Sequence, residues 1–259
     1  MKTDLLLQTE AWVIALILFI LMLVATMIGK IIGDKIRLNN KSAKNLTETS
    51  GLTALLFFLL AFTFGMSGNR YDDRRKIVVE EANDIGTAIL RSDLYPEAER
   101  TLFRKDFKEY VEARILYYEV GSDVKKILEA DSLSQTISAK LWQRACNLSK
   151  DPANLAATQQ MIPALNTMID VTTSRLSGEK AKVPQSILIM LFLLALISAF
   201  YSGYSEGRKG KIDWLVQTGF CLLVSVVILF TYDLDRPRRG FVNLDTPNQT
   251  ILELRKNFK

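Results

Sequence analysis

The chain has 259 residues, 49% apolar and 24% charged, with a net charge of +5. It has no histidine, which removes the commonest metal ligand and the commonest acid–base group. The segment 70–182 holds bases and acids in equal number, which argues against a nucleic-acid-binding patch.

These ordinary averages hide a segregation. A membrane-crossing helix needs roughly 20 mostly apolar residues, and four runs qualify: Ala11–Gly29, Gly51–Gly68, Pro184–Tyr204 and Trp214–Tyr232. The first has too long an apolar core for a cleaved leader, and acidic Asp4 and Glu10 stand where a basic region belongs. It is expected to stay in the mature protein. Trp12, Tyr204, Trp214 and Tyr232 sit at run ends, where amphipathic rings favour the headgroup layer. Cys146 lies in the charged middle and Cys221 in the fourth run, so no disulfide framework is expected.

The second run passes into NRYDDRRKIVVEEANDIG (Asn69–Gly86) with no proline or turn cluster between them. One helix is therefore expected from about Gly51 to Ser92, with Asp72 and Lys76, and Tyr71 and Arg75, four apart on neighbouring turns. Val78, Ala82, Ile85 and Ile89 fall on one face of it. Pro96 opens the next helix at a favoured first-turn position. Its apolar stripe is Leu102, Phe103, Phe107, Tyr110, Val111, Ile115 and Tyr118, and Gly121 ends it. Ser122 is the expected N-cap of the following helix. Asp151-Pro152 starts another, running to about Arg175 with a bend at Pro163, and the linker SGEKAKVPQS leads into the third span. The fold class is all-α. Residues 1–69 carry spans one and two, 70–183 a helical extramembrane domain, 184–232 spans three and four, and 233–259 a tail.

The flanking bases do not settle orientation. Lys2, Arg70, Arg74, Arg75, Lys76, Arg175, Lys180, Lys182, Arg236, Arg238 and Arg239 lie on the side of the middle segment. Lys30, Lys35, Arg37, Lys41, Lys44, Arg208, Lys209 and Lys211 lie on the other. The totals favour a cytoplasmic middle domain, while the flanks of the first span favour the reverse.

The junction RYDDRRKIVVEEANDIGTA, together with DLDRPRRG (Asp233–Gly240), resembles a bacterial family of membrane proteins of unknown function described as bestrophin-like. The plan of two spans, a helical domain and two further spans resembles the bestrophin ion channels over nearly the whole chain. The resemblance implies a pentamer in the plasma membrane. Its pore would be lined by the second span and prolonged by a cytoplasmic helical domain, and its permeant ions would be inorganic, with anions the favoured class. Carried onto this chain, the constriction falls on Leu55, Leu59, Phe62 and Met66. The same four serve equally well as packing or lipid-facing residues. A second stripe, Gly51, Ala54, Ala61 and Gly65, is small enough for close helix approach and is expected to pack on a neighbouring span. The acidic cluster of animal bestrophins is missing, so calcium gating is not expected.

Glu80, Glu81 and Asp84 form a carboxylate group without other ligands nearby. It reads better as part of a junction charge network of Arg70, Asp72, Arg74, Glu80, Glu81, Asp84, Arg236 and Arg238 than as a metal site. Gln217 and Ser225 are expected to bond across helices. No nucleophile elbow, phosphate loop or metal-binding spacing occurs, so neither an enzyme nor a cofactor is expected. The leading reading is an oligomeric ion channel, with the bilayer, ions and further copies of the chain as its partners. The alternative is a membrane sensor or scaffold whose helical domain binds a ligand or protein. The short stretch after Tyr232 is expected to leave no room for a separate output domain.

Overall fold

The computed structural model describes residues 10–39, 50–236, 238, 240–242 and 245–258, side chains at 50 and 245–247 excepted. Asp4 and four members of the basic tally (Lys2, Lys41, Lys44 and Arg239) lie outside the described residues.

Among the described residues every regular element is helical. The helices are α1 (Ala11–Asn39), α2 (Ser50–Arg91), α3 (Glu97–Glu119), α4 (Val124–Leu148), α5 (Leu155–Lys180), α6 (Gln185–Lys209), α7 (Trp214–Leu234) and α8 (Asp245–Glu253). Short 3-10 turns occupy Ser92–Leu94, Pro152–Asn154 and Leu254–Phe258. Four helices, those containing the apolar runs of α1, α2, α6 and α7, are long and apolar enough to cross a bilayer.

Local chemistry explains most boundaries. Asp213 caps α7, its carboxylate accepting from Leu215 N and Val216 N. The cap of α4 is Asp123 and not Ser122: its side chain accepts from Lys125 N and Lys126 N, and a carboxylate is at least as good an acceptor there as a hydroxyl. Gly121 takes φ 61° just past α3, a left-handed conformation in which a side chain is strained. Pro96 stands at the N-cap of α3, one place before the first turn. Pro163 lies inside α5, which runs on to Lys180, beyond the expected Arg175. The connection to α6 is correspondingly short.

The chain divides into two compact units. The membrane unit comprises residues up to Asn69 together with Lys182–Arg236, and the helical unit Arg70–Ala181 with the tail. In the membrane unit a core of Leu18, Met22, Leu56, Leu60, Leu191, Ala195, Ala199, Cys221, Val224 and Ile228 joins all four spans. In the helical unit Val78, Ala82, Ile85 and Ile89 pack with Phe103, Phe107, Tyr110, Leu141, Met161, Leu165 and Met168. The predicted α3 stripe is buried except at Leu102, which is 42% exposed, and Tyr118, which is half-buried. Tyr117, absent from that stripe, is fully buried. The tail joins this core through Ile251 and Leu254. Both cysteines are free.

Candidate functional site

α2 runs unbroken from Ser50 to Arg91, and one stripe of it stays buried throughout. In the apolar half the buried positions are Leu56, Leu60, Thr63 and Ser67. Each returns after eighteen residues, or five turns at about 3.6 residues each, as Arg74, Val78, Glu81 and Ile85, also buried. The face is the same but its chemistry changes from apolar and hydroxyl to alternating charge and apolar.

The two predicted stripes lie off this face. With about 100° per residue, Leu55, Leu59, Phe62 and Met66 centre roughly 100° from the buried stripe, and Gly51, Ala54, Ala61 and Gly65 roughly 165° from it. Leu55 and Phe62 are exposed and Leu59 and Met66 half-buried. Ala54 and Ala61 of the small-residue stripe are exposed, and a Cβ placed on Gly51 or Gly65 finds no atom of the described residues within 4 Å. Among the described residues α2 is held by the larger Leu56 and Leu60 on its opposite side.

Close helix approach occurs elsewhere in the membrane unit. A Cβ on Gly29 or Gly33 of α1 would collide with the backbone of Phe200 or Tyr204, and one on Gly203 or Gly207 of α6 with Thr26 or Lys30. Both helices carry a glycine pair at i and i+4, the spacing that lets backbones touch in lipid. The sequence carries this signal at Gly29-x-x-x-Gly33 and Gly203-x-x-x-Gly207. Beside this seam Thr26 Oγ1 donates to Ala199 O at 3.2 Å, Gln217 Nε2 donates to Thr26 Oγ1 at 3.4 Å, and Ser202 Oγ donates to Gln217 Oε1 at 2.9 Å. Gln217 thus bonds across helices as expected, whereas the buried Ser225 hydroxyl has no hydrogen-bond partner.

The junction charges separate into different groups. Glu81 is fully buried and accepts from Arg114 Nε, from Arg175 NH1 at 2.8 Å and from the Tyr118 hydroxyl at 2.7 Å. Arg114 and Arg175, which stand outside the junction network expected from the sequence, reach Glu81 because α3 and α5 bring them against the buried face of α2. Arg238 does join the helical unit, donating to Glu179 at 3.0 Å and to the carbonyl oxygens of Tyr117 and Gly121. Its guanidinium stacks on Tyr117, as that of Arg175 does on Tyr118. Arg74 is buried beside Ile77, Val78, Arg175 and Glu179.

Arg236 belongs to the membrane unit, where it donates to the Tyr232 hydroxyl at 2.6 Å and lies over the Tyr232 ring. Tyr232 itself is buried. Asp72 and Glu80 are exposed, Arg70 is half-buried, and Lys76 pairs with Asp73 at 3.5 Å instead of with Asp72.

Electrostatics fit a structural clamp. Burial pulls Arg175 down to about 10, partly offset by Glu81. Burial likewise works against the Arg114 cation, but Glu81 and Tyr110 more than offset it, and its pKa rises. Both guanidinium groups stay charged at neutral pH and neutralise the buried carboxylate. Asp84 titrates above the usual carboxylate range through burial first, then through Glu80 and Glu81. Among the described residues no group of three His, Cys, Asp or Glu is placed to hold a metal ion.

No curated protein and no solved structure matches the chain. The family profile described as the bestrophin-like domain matches residues 16–247, which takes in all four spans, the glycine seam and the buried clamp. A multi-pass helical membrane protein built in this way, and matched over nearly its whole length, belongs to the bestrophin-like family.

Proposed function

We propose that the protein is an oligomeric ion channel of the plasma membrane whose pore is lined by α2. The observation that carries this reading is how little its own chain covers α2. Only 22% of its apolar window is buried, against 33% for α1 and for α7. Two faces remain for contacts outside the chain. The small-residue face (Gly51, Ala54, Ala61 and Gly65) suits close approach of another copy. The bulky face (Leu55, Leu59, Phe62 and Met66) suits a constriction that gates by refusing water. Membership of the bestrophin-like family supports a ring of copies, with five the number proposed, and a cytoplasmic helical unit. The anion preference implied by the resemblance finds no support in α2 itself: its exposed charges include Asp72, Asp73 and Glu80 beside Arg75 and Lys76. No catalytic role is proposed.

Purified protein in a planar bilayer tests the reading. Leu59→Ala with Phe62→Ala should raise conductance without altering assembly, and Ala61→Leu should damage assembly. A reversal potential in a salt gradient identifies the permeant ion. Assembled protein that passes no current in native or widened form would sink the channel reading. It would favour the second reading, a membrane sensor, for which the helical unit offers a cleft of its own.

A further inference from the structure

The helical unit contains a cleft of about 590 Å³ lined by Tyr110 of α3, Ser134, Ser138 and Trp142 of α4, and Asn166 and Thr172 of α5, among others. Ligand pockets commonly fall between about 300 and 1,000 Å³. None of the residues lining this one carries a charge, although the unit is rich in charge elsewhere.

At its inner wall stands Tyr110, 1% exposed, whose hydroxyl has no hydrogen-bond partner among the described residues. A buried hydroxyl left unsatisfied is destabilising, and native structures seldom leave one so. Burial pushes this phenol up, Arg114 only partly opposing, so it remains a neutral O–H. The other hydroxyls have a direction. Ser134 donates to Asp131 O at 2.8 Å, Ser138 to Gln135 O at 2.9 Å and Thr172 to Ile169 O at 2.7 Å. Their protons are committed to their own helices. Ser134 Oγ already accepts from Arg114 NH1 at 3.4 Å, and the oxygens of Ser138 and Thr172 keep lone pairs that can accept. A half-buried indole, Trp142, supplies an apolar wall.

We propose that this cleft binds an uncharged ring compound bearing several hydroxyl donors, a sugar or cyclitol, with one of its hydroxyls paired to Tyr110. Hydroxyl donors meet the serine and threonine oxygens, the apolar edge of the ring lies against Trp142, and no ion is called for because no counter-charge lines the wall. An ammonium ligand would bring donors but find no carboxylate there. The inference is independent of the channel reading, since it concerns only the helical unit.

The test uses the full chain in lipid nanodiscs, so that no sugar-headed detergent competes. The protein has three tryptophans, and Trp12→Phe with Trp214→Phe leaves Trp142 as the single reporter. Titration with glucose and with myo-inositol should give a saturable change in its emission with at least one of them, while choline chloride should give none. Tyr110→Phe should weaken that binding roughly tenfold, about the effect of one lost hydrogen bond. It should not lower the thermal midpoint, because the hydroxyl has no partner among the described residues to lose. Ser138→Leu should abolish the response by filling the cleft while the protein stays folded.

Absence of a saturable change with both neutral probes, or equal affinity in Tyr110→Phe, overturns the proposal. A lowered midpoint in Tyr110→Phe does so too, since it reveals a partner for the hydroxyl within the protein. A change of oligomer size in Ser138→Leu, with no response to the probes, assigns the cleft to contact between copies and overturns it as well.

Discussion

In the membrane unit α1 meets α6 along Gly29, Gly33, Gly203 and Gly207, backbone against backbone. In the helical unit α2 to α5 meet through Phe103, Phe107, Tyr110, Leu141, Met161 and Met168, side chain against side chain. The contrast follows from the solvent. Lipid tails are as apolar as leucine, so burying a large side chain between spans gains little, and close packing with a few interhelical hydrogen bonds must hold them. Water drives aromatic burial directly, at roughly 25 cal/mol per Å² of apolar surface. Buried polar groups differ in placement. The spans bury neutral Thr26 and Gln217 along their length, with the buried charges of the membrane unit, Asp233, Asp235 and Arg236, gathered at the end of α7, whereas the helical unit buries Glu81, Arg114 and Arg175 among its helices.

The largest expected effect breaks the helical side of the comparison. Glu81→Ala removes the carboxylate that two buried guanidinium groups share, leaving Arg114 only the carboxylate of Asp131 at 3.8 Å and Arg175 only that of Glu179 at 3.5 Å. Removal of one partner from a buried pair typically costs about 3–5 kcal/mol. Far-UV circular dichroism during heating should show a destabilised helical unit. Arg255→Ala, at an exposed pair, gives the scale for an ion pair without burial. A Glu81→Ala protein melting within a degree or two of the native one would mean that the clamp contributes nothing.

On the membrane side, Gly203→Ala forces α6 away from the Thr26 carbonyl. Overpacking of this kind costs roughly 1–3 kcal/mol, with the Thr26–Ala199 and Gln217–Thr26 hydrogen bonds at risk as the helices part. Gly65→Ala is the counterpart: the added methyl meets nothing among the described residues and replaces the poorest non-proline helix former by the best. It should leave the single chain as stable or slightly more so. If Gly65→Ala nevertheless weakens assembly, the α2 stripe is a seam between copies, which is where the channel reading puts it. Thermal melts and oligomer size, compared for the two variants, separate a seam inside the chain from one outside it.

How much of this was legible in the sequence depends on which periodicity carried it. The four spans and the continuous α2 follow from run length and from the lack of a breaker at Gly68-Asn69. The buried face Val78, Ala82, Ile85 and Ile89 follows from helical spacing. The clamp was only half visible. Glu81 stood out in its acidic cluster, but Arg114 and Arg175 are distant in sequence, and charge near a junction suggested partners close by along the chain. A clue existed at Arg114, which sits between Val111 and Ile115 on an otherwise apolar stripe. Spacing identifies a face fit for close approach without saying which helix answers it. Gly29 and Gly33 meet α6 within the chain, while Gly51 and Gly65 meet nothing among the described residues. The tail carries a short stripe of its own, Ile251, Leu254 and Phe258 at i, i+3 and i+7, but so short a stripe does not say which core it joins.

That tail offers the smallest effect and the sharpest view of surface against buried charge. Arg255 donates two hydrogen bonds to Glu112, at 2.8 and 2.7 Å, in the fork geometry that suits a carboxylate. Both side chains are nearly half exposed, 48% and 46%, so water and salt screen the pair, and pairs of this kind contribute about 0–1 kcal/mol. The Arg255 hydrogen bonds hold the Glu112 carboxyl below its usual range, with burial opposing. A carboxyl depressed in the folded state stabilises fully above its unfolded pKa, and that stabilisation is lost as pH falls through the folded value. Acidification below the ordinary glutamate range should therefore loosen the tail, read as faster amide exchange at residues 251–258. Arg255→Ala should already show much of that loosening at neutral pH and gain less from acid. The effect should stay small because Ile251 and Leu254 still anchor the tail by burial. Acid release that is just as large in Arg255→Ala as in the native chain would assign the tail's pH response to another carboxylate.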